Sequence, residues 1–294
     1  MMAFPQLFGA IRLFAADDGE QLILRFLFWN IRSQPLQRLI AACAAEQRAD
    51  VVMMTECGII ADDLEREFGL AGSPGLISDG TSSASNIRVF SRFPLHSVYD
   101  DANNHVAIRR LIVRRRHQVL LVIVHLQSKR NWRDNDQLQG ASRLARSIHE
   151  WEQKFARAPV LVVGDLNMNP FEPGIVGSEG LHAVMTRDIA KRGGRIVDGE
   201  HRSFLYNPMW RFFGERSDGP PGTYYYEASG IPTSYYWNIF DQVLVRPALV
   251  NKLKDVRIID KIGAIPLLDD RGVPDATAGS DHLPLVFTLD FSEV

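Results

Sequence analysis

Four polar residues close apolar runs in this sequence, and their types can bind ligands or move protons. Asn30, Glu56 and His125 each stand at or directly after the end of a strand-like run, and Asp165 ends the run PVLVVGD. The carboxyl ends of strands are where α/β proteins place their ligands. We therefore expect these four side chains to share one polar site.

Three more chemically capable residues precede apolar runs instead of following them. Asp241 opens the run DQVLV, and the pair Asp281 and His282 lies just before LPLVF. These residues reach the same rim only if their strands run antiparallel to the others, an arrangement that is common in mixed sheets. The sequence thus predicts antiparallel strands after both positions.

Asp165 is followed by a second candidate, Asn167, in the segment GDLN. In an extended chain, residues two apart face the same side, so this carboxylate and this amide could contact one ligand. Taken alone, each candidate could be a turn, cap or half-buried polar residue. The ordered set, with one polar group per strand, favours a functional site.

The elements that must position these residues alternate along the chain. Mixed strands with intervening helices and hairpins predict an α/β fold with two packed mixed sheets flanked by helices. Residues 170–238 are rich in Gly, Pro and aromatic residues and are predicted to be mostly loop. The predicted strands are 22–31, 49–56, 86–95, 106–113, 118–125, 159–165, 239–247 and 283–291, with helices after Pro35 and over 140–155.

Length and composition limit the class of protein. The chain has 294 residues, of which 46% are hydrophobic and 23% charged, so it can bury a large core in one large domain or in two ordinary ones. The longest apolar runs, such as residues 119–124, are far shorter than a membrane span. Two cysteines are too few for a disulfide framework, which favours a cytoplasmic location.

The net charge of −2 hides a basic segment. Between Val106 and Arg157, twelve Lys or Arg residues stand against four Asp or Glu residues. Such a segment is a candidate contact surface for a polyanion, and a solvated hairpin tip and helix face is the alternative.

With these pieces in order, the sequence resembles the endonuclease/exonuclease/phosphatase superfamily of metal-dependent phosphoesterases. This superfamily includes pancreatic-type deoxyribonuclease, abasic-site endonucleases, inositol polyphosphate 5-phosphatases and neutral sphingomyelinases. Arg32 stands where some branches carry an acidic residue. The matching segments are FWNI (28–31), DVVMMTE (50–56), VFSRFPL (89–95), VIVHLQS (122–128), VVGDLNMNP (162–170), FDQVLV (240–245) and GSDHLPL (279–285).

The resemblance implies a fold and a domain organisation. It spans nearly the whole chain, so we expect a single domain over residues 1–294, with a short N-terminal extension at about 1–20. The implied fold is a four-layer α/β sandwich.

The resemblance also implies a cofactor and roles for the site residues. Mg²⁺ or Mn²⁺ would be held by Glu56, with Asn30 and Asp281 in or just outside its coordination shell, and these oxygen ligands suit such ions. The catalytic set would be Asp165 and Asn167 for the water and phosphate, His125 for a phosphate oxygen or the leaving group, and His282, oriented by Asp241, as base or electrostatic partner.

The substrate is open at this level. The basic segment and the aromatic-rich stretch 204–240 suit a nucleic acid, with arginines on phosphates and rings on unstacked bases. An inositol phosphate or a lipid headgroup is the main alternative, and a non-catalytic binding protein on the same fold is a further one. No individual substrate-binding residue is predicted.

Overall fold

The computed structural model describes residues 22–292, apart from residues 81–85, 104, 115–116, 130–133, 157, 215–218, 228 and 231–232. The N-terminal extension expected at about residues 1–20 lies outside the described residues. Within the described ranges, no helix is both long and apolar enough to cross a membrane.

Helices separate several strands in the first part of the chain, whereas short strands predominate in the second part. The first part contains β1 (Ile23–Asn30), α1 (Gln37–Glu46), β2 (Val51–Thr55), α2 (Ala61–Leu70), β3 (Ile77–Ser78), β4 (Arg88–Ser91), β5 (Leu95–Asp100), β6 (Val106–Arg114), β7 (His117–His125), α3 (Asp134–Lys154) and β8 (Val160–Asp165). The second part contains α4 (Pro173–Val176), β9 (Ala183–Val184), α5 (Arg187–Ala190), β10 (Gly194–Val197), β11 (Glu200–Ser203), β12 (Leu205–Tyr206), β13 (Tyr224–Tyr226), β14 (Tyr236–Asn238), β15 (Asp241–Val245), β16 (Leu253–Ile258), β17 (Lys261–Ile262), β18 (Ile265–Pro266) and β19 (Leu285–Asp290). Short 3₁₀ helices cover Pro208–Phe212 and Pro247–Leu249.

Two large mixed sheets form the centre of the described chain. The first has the strand order β16-β19-β1-β2-β4-β3, and the second has the order β5-β6-β7-β8-β15-β12-β9. β1 pairs with β2 in parallel, and β7 pairs with β8 in parallel. β19 and β15 run antiparallel to β1 and β8, which confirms the direction predicted for the strands after Asp241 and His282.

The alternation of side chains along β7 shows how the layers pack. Leu121 and Ile123 belong to the core cluster that β7 shares with the first sheet, whereas Leu120, Val122 and Val124 join the cluster beneath α3. Successive strand residues point to opposite faces, so the second sheet contacts the first sheet on one side and a helix on the other. This arrangement confirms the predicted four-layer α/β sandwich.

Several elements differ from the sequence-based prediction. Stretch 86–95 is not one strand, because β4 ends at Ser91 in the first sheet and β5 begins at Leu95 in the second. α2 was not predicted, although Leu64 and Phe68 place two buried side chains one helical turn apart. β16 was also missed because three charged residues interrupt its apolar positions. Residues 170–238, predicted to be mostly loop, also contain several short helices and strands of two to five residues.

Candidate active site

All eight predicted site residues lie at one end of the two sheets. Six of them line a pocket of about 830 Å³, and the other two, Asn30 and Asp241, lie directly beneath it and hydrogen-bond to its lining. The six are Glu56, His125, Asp165, Asn167, Asp281 and His282.

Strand register explains why residues distant in sequence meet here. In the second sheet, His125 on β7 lies opposite Asp165 on β8, which in turn lies opposite Asp241 on β15. In the first sheet, Asn30 ends β1 opposite the last residue of β2, and Glu56 follows at once. Because the two sheets pack face to face, their polar strand ends converge on one rim.

Asp165 lies at the centre of the site and is buried, with 1% of its surface exposed. Its Oδ2 accepts a hydrogen bond from Asn30 Nδ2 at 3.1 Å, which joins the two sheets. The Nε2 atoms of His125 and His282 lie 3.8 Å and 3.9 Å from the same oxygen. Burial raises the pKa of Asp165, whereas the nearby His282 opposes that rise.

Asn167 reaches the pocket by a turn and not by an extended chain. Its φ of 50° lies in the left-handed region, its N–H donates to Asp165 Oδ1 at 2.8 Å, and its side-chain amide donates to the Leu126 carbonyl at 2.8 Å. The predicted alternation therefore stops at Asp165. The two side chains still border the same pocket, because an Asx-type turn closes the chain on itself.

Glu56 and His125 contact each other in the pocket. His125 Nε2 lies 3.3 Å from Glu56 Oε1, and Asn30 Nδ2 donates to that same oxygen at 3.1 Å. The hydrogen bond from His125 lowers the pKa of Glu56 to about 2 despite partial burial. For His125, burial disfavours the charged form, but contact with Glu56 and Asp165 raises its pKa overall. A carboxylate thus faces the pocket in its charged form.

His282 is held on three sides. Its Nδ1 lies 2.8 Å from Asp241 Oδ2, its backbone carbonyl accepts a hydrogen bond from Trp29 Nε1 at 2.8 Å, and the Tyr224 ring packs against it with centroids 4.6 Å apart. Burial disfavours the imidazolium, yet the Asp241 carboxylate outweighs this effect and raises the pKa of His282 to about 10. The structure thus contains the contact between Asp241 and His282 that the family resemblance implied.

Asp281 has an unexpected partner in Arg32. Arg32 Nη1 lies 3.4 Å from Asp281 Oδ2, and both side chains border the pocket. Arg32 has φ 48°, a left-handed conformation that is uncommon for a residue with a long side chain. A cation therefore stands where some branches of the resembled family carry an acid.

The carboxylate oxygens on the pocket surface are suitable ligands for a hard divalent cation. Glu56 and Asp281 keep 35% and 24% of their side chains exposed, so both can accept a metal from the pocket. Asn30 lies just behind them. Its amide nitrogen contacts Glu56 and Asp165, and its oxygen accepts the Arg32 N–H. Oxygen donors of this kind are those that Mg²⁺ and Mn²⁺ prefer.

A second acidic group lies deeper and is less suited to a metal. Ligand atoms of Asp165, Asp241 and His282 lie within 4.8 Å of one another. However, the Asp241 carboxylate and His282 Nδ1 are already paired, and all three residues are buried. Mg²⁺ usually retains several waters, whereas Asp241 is fully buried and does not line the pocket. The arrangement of these three residues suits proton transfer and charge stabilisation better than metal binding.

The contacts of several pocket residues were not predicted from the sequence. Tyr224 contacts His282, and Lys129 forms an ion pair with Glu172 in the pocket wall. Nothing in the sequence spacing indicates either contact, because each joins segments far apart in the chain. Asn169 and Glu172 follow GDLN closely, and their hydrogen bond shows that this turn extends past Asn167.

The predicted basic segment does not form one continuous surface among the described residues. Arg109 is fully buried and paired with Asp79 and Asp100, and Arg110 packs over the Phe155 ring. The side chain of Arg114, and residues 115–116, 130, 133 and 157, lie outside the described structure. Of the described basic residues in this segment, Lys129 alone borders the pocket.

Comparison with known proteins identifies similar folds. A model of the Endonuclease/Exonuclease/phosphatase family matches residues 27–282. An AP endonuclease from Archaeoglobus fulgidus shares 15% identity at a TM-score of 0.53, over 90% of this chain and 99% of that one. TDP2 from D. rerio, solved with a single-strand DNA product, shares 17% identity at a TM-score of 0.54, over 90% and 98% of the two chains.

A third similar structure is an endonuclease/exonuclease/phosphatase family protein from Bacteroides thetaiotaomicron. It shares 12% identity at a TM-score of 0.57, over 92% of this chain and 99% of that one. No curated protein matches the chain by sequence. The structural likenesses confirm the sandwich fold over almost the full length of each neighbour.

Proposed function

We propose that this chain, which belongs to the endonuclease/exonuclease/phosphatase family, is a Mg²⁺- or Mn²⁺-dependent phosphodiester hydrolase that cleaves nucleic acid. One observation carries the proposal: His125, Asp165 and the paired His282 and Asp241 converge on a pocket that also presents Glu56. Phosphodiester hydrolysis needs an activated water, charge neutralisation and a proton for the leaving oxygen. This pocket contains a group for each task.

The metal would be held by Glu56 and Asp281, with Asn30 positioning the Glu56 carboxylate by hydrogen bonding. When bound, a divalent ion supplies charge neutralisation at the phosphate oxygens. Arg32 adds a fixed positive charge beside Asp281.

The remaining residues would perform the proton transfers. Asp165 lies between the two imidazoles, where it can hold a water and take its proton as the water oxygen bonds to phosphorus. As the bond to the leaving oxygen breaks, His125 would donate a proton to that oxygen. His282, held as a cation by Asp241, would stabilise the negative charge that develops on the phosphate.

Nucleic acid is the substrate class that the pocket and the similar structures favour together. The named neighbours include an AP endonuclease and TDP2 with a DNA product. Among the described residues lining the pocket, Arg32 and Lys129 are the Lys or Arg side chains, and each is paired with a carboxylate. A polyphosphorylated inositol would require more unpaired positive charge than this.

The test is a substrate panel with the wild-type protein and two variants. Single- and double-stranded DNA, RNA, an inositol phosphate and sphingomyelin are each incubated with Mg²⁺, Mn²⁺ or EDTA. We expect oligonucleotide cleavage that EDTA abolishes. Glu56→Gln should reduce Mn²⁺ binding, measured by calorimetry, and activity by about 100-fold or more, because a neutral amide is a weaker ligand for a hard cation.

Glu67→Gln on α2 is the matched control, since Glu67 does not line the catalytic pocket. It should keep both Mn²⁺ binding and activity. Undiminished cleavage in excess EDTA would exclude the metal requirement, and a higher kcat/KM for sphingomyelin or the inositol phosphate than for any oligonucleotide would exclude the nuclease assignment.

A further inference from the structure

The short sheet formed by β13 and β14 is attached to the catalytic centre at its base. Tyr224 forms an isolated bridge with His282, and the Thr223 carbonyl accepts the Leu283 N–H at 2.8 Å. Thr223 Oγ1 also accepts the backbone N–H of Asp241 at 3.1 Å. The hairpin is thus fixed to both members of the Asp241 and His282 pair, and the rest of it extends along the pocket.

Two tyrosines of this hairpin face the pocket with much of their surface exposed. Tyr226 is 50% exposed and Tyr235 is 56% exposed, and both line the same pocket as the catalytic residues. We call these two residues the tyrosine wall. Large exposed rings on a fixed element commonly indicate a contact surface for a ligand.

The wall is supported from behind. Tyr235 meets the Phe171 ring edge to face with centroids 5.3 Å apart, and Phe171 in turn packs against Phe213 at 5.6 Å. Phe213 packs against Trp210 at 5.8 Å. This row of rings fixes the position of Tyr235, so its exposed face is presented without a large further loss of side-chain entropy on binding.

The chemistry of the wall differs from that of the catalytic side of the pocket. Its described neighbours in the pocket, Phe171, Thr233 and Ser234, are uncharged. Lys129, which lines the same pocket, has its charge compensated by Glu172. An uncharged aromatic surface suits a planar, uncharged group and offers no site for a second phosphate.

We propose that the tyrosine wall binds an unstacked nucleobase of the nucleotide next to the phosphate held by His125 and His282. This inference rests on the proposed function and makes it more specific. A base can stack on an aromatic side chain only when it has left its own stack. In an intact duplex the bases stack on one another, so the wall selects single-stranded nucleic acid or a strand end over a continuous duplex.

The experiment compares three substrates of the same length at one metal and one salt concentration. They are a single-stranded oligonucleotide, the same strand with abasic tetrahydrofuran residues around the cleaved bond, and the duplex. The enzyme forms are the wild type, the double variant with Tyr226→Ala and Tyr235→Ala, and the double variant with Phe at both positions. Tyr236→Ala is the control, because Tyr236 is 49% exposed on the same hairpin but does not line the pocket.

We expect the double Ala variant to raise KM for the normal single strand about tenfold, the effect of losing roughly one stacked base. KM for the abasic strand should stay at its wild-type value, because that strand has no base to stack. Phe at both positions restores the rings and should return KM toward that of the wild type. Tyr236→Ala should leave all three substrates unaffected, and the unfolding midpoints of all forms should agree.

Equal effects of the double Ala variant on normal and abasic strands would overturn the inference, as would a lower wild-type KM for the duplex than for the single strand. Failure of the proposed function looks different. In that case the wild-type protein would bind Mn²⁺ yet cleave none of the three oligonucleotides, and the inference would fall with it.

Discussion

At the scale of single residues, one hydrogen bond orients His282, for which we propose a catalytic role. Asp241 Oδ2 contacts His282 Nδ1, while the Tyr224 ring packs on the imidazole and Trp29 holds its backbone. The ring can therefore present Nε2 to the pocket in one orientation. A carboxylate in this position also stabilises the positive charge on the imidazole.

Asp241→Asn tests this arrangement. An amide keeps the shape of the carboxylate but loses its charge, so His282 loses both its preferred tautomer and its positive charge. We expect kcat to fall about 100-fold or more while KM changes much less. The measurement is steady-state cleavage of an oligonucleotide. Asp62→Asn is the control, because Asp62 is an exposed acid at the start of α2. A wild-type kcat in Asp241→Asn would refute the proposal that Asp241 acts through His282.

At the scale of elements, the parallel pair β7 and β8 positions Asp165, the carboxylate that we propose accepts the proton of the water. Gly164 lies opposite Val124 and directly before Asp165. Its φ is 148°, and a Cβ built there would lie 2.0 Å from the Val124 carbonyl oxygen. The two strand ends can approach this closely because residue 164 has no side chain.

Gly164→Ala should therefore separate the ends of β7 and β8. We expect the free energy of unfolding to fall by about 3 kcal/mol or more, because a backbone atom cannot move aside as a flexible side chain can. Activity should fall with it, since His125 and Asp165 end these strands. Gly69→Ala in α2 is the matched control, because a Cβ there meets nothing within 4 Å. That variant should stabilise the protein by up to about 1 kcal/mol.

Both variants are compared with the wild type by equilibrium denaturation in guanidinium chloride. If Gly164→Ala unfolded at the wild-type denaturant concentration, the close approach of the strands would not constrain the site as described. Equal destabilisation by Gly69→Ala would indicate a general intolerance of substitution in place of a specific steric conflict.

At the scale of the whole molecule, one core connects the two sheets. Phe26 on β1 and Phe287 on β19 stack with centroids 4.8 Å apart, and the cluster that contains them also includes Leu121 and Val163 of the second sheet. The hydrogen bond between Asn30 and Asp165 joins the same sheets at the active site. Neither sheet can bury its inner face without the other.

This shared core predicts that the chain unfolds as a single unit, in keeping with the proposed single domain. We expect one denaturation transition at which far-UV circular dichroism, tryptophan fluorescence and loss of cleavage activity coincide. Two separated transitions would show that the sheets fold independently. A midpoint for activity loss well below the structural midpoint would instead show that the site opens locally before the core unfolds.

Local patterns in the sequence were sufficient to predict the central strands and the residues at their ends. The buried strands that end in Asn30, Asp165 and His125 are long apolar runs, and apolar periodicity follows directly from burial of one or both faces. The pairing of Asp241 with His282, in contrast, was implied by the family resemblance and not by a local pattern. Element type and the identity of the polar set are therefore local information.

The tertiary structure alone determined how these residues contact one another and what surrounds them. The ion pair of Arg32 with Asp281, the packing of Tyr224 on His282 and the hydrogen bond from Asn167 to the Leu126 carbonyl all depend on where distant segments cross. It also separated the basic segment into buried, paired and exposed residues, which a count of charges along the chain cannot distinguish. Such contacts arise from strand register and the packing of one sheet on the other, and neither is encoded in any short stretch of sequence.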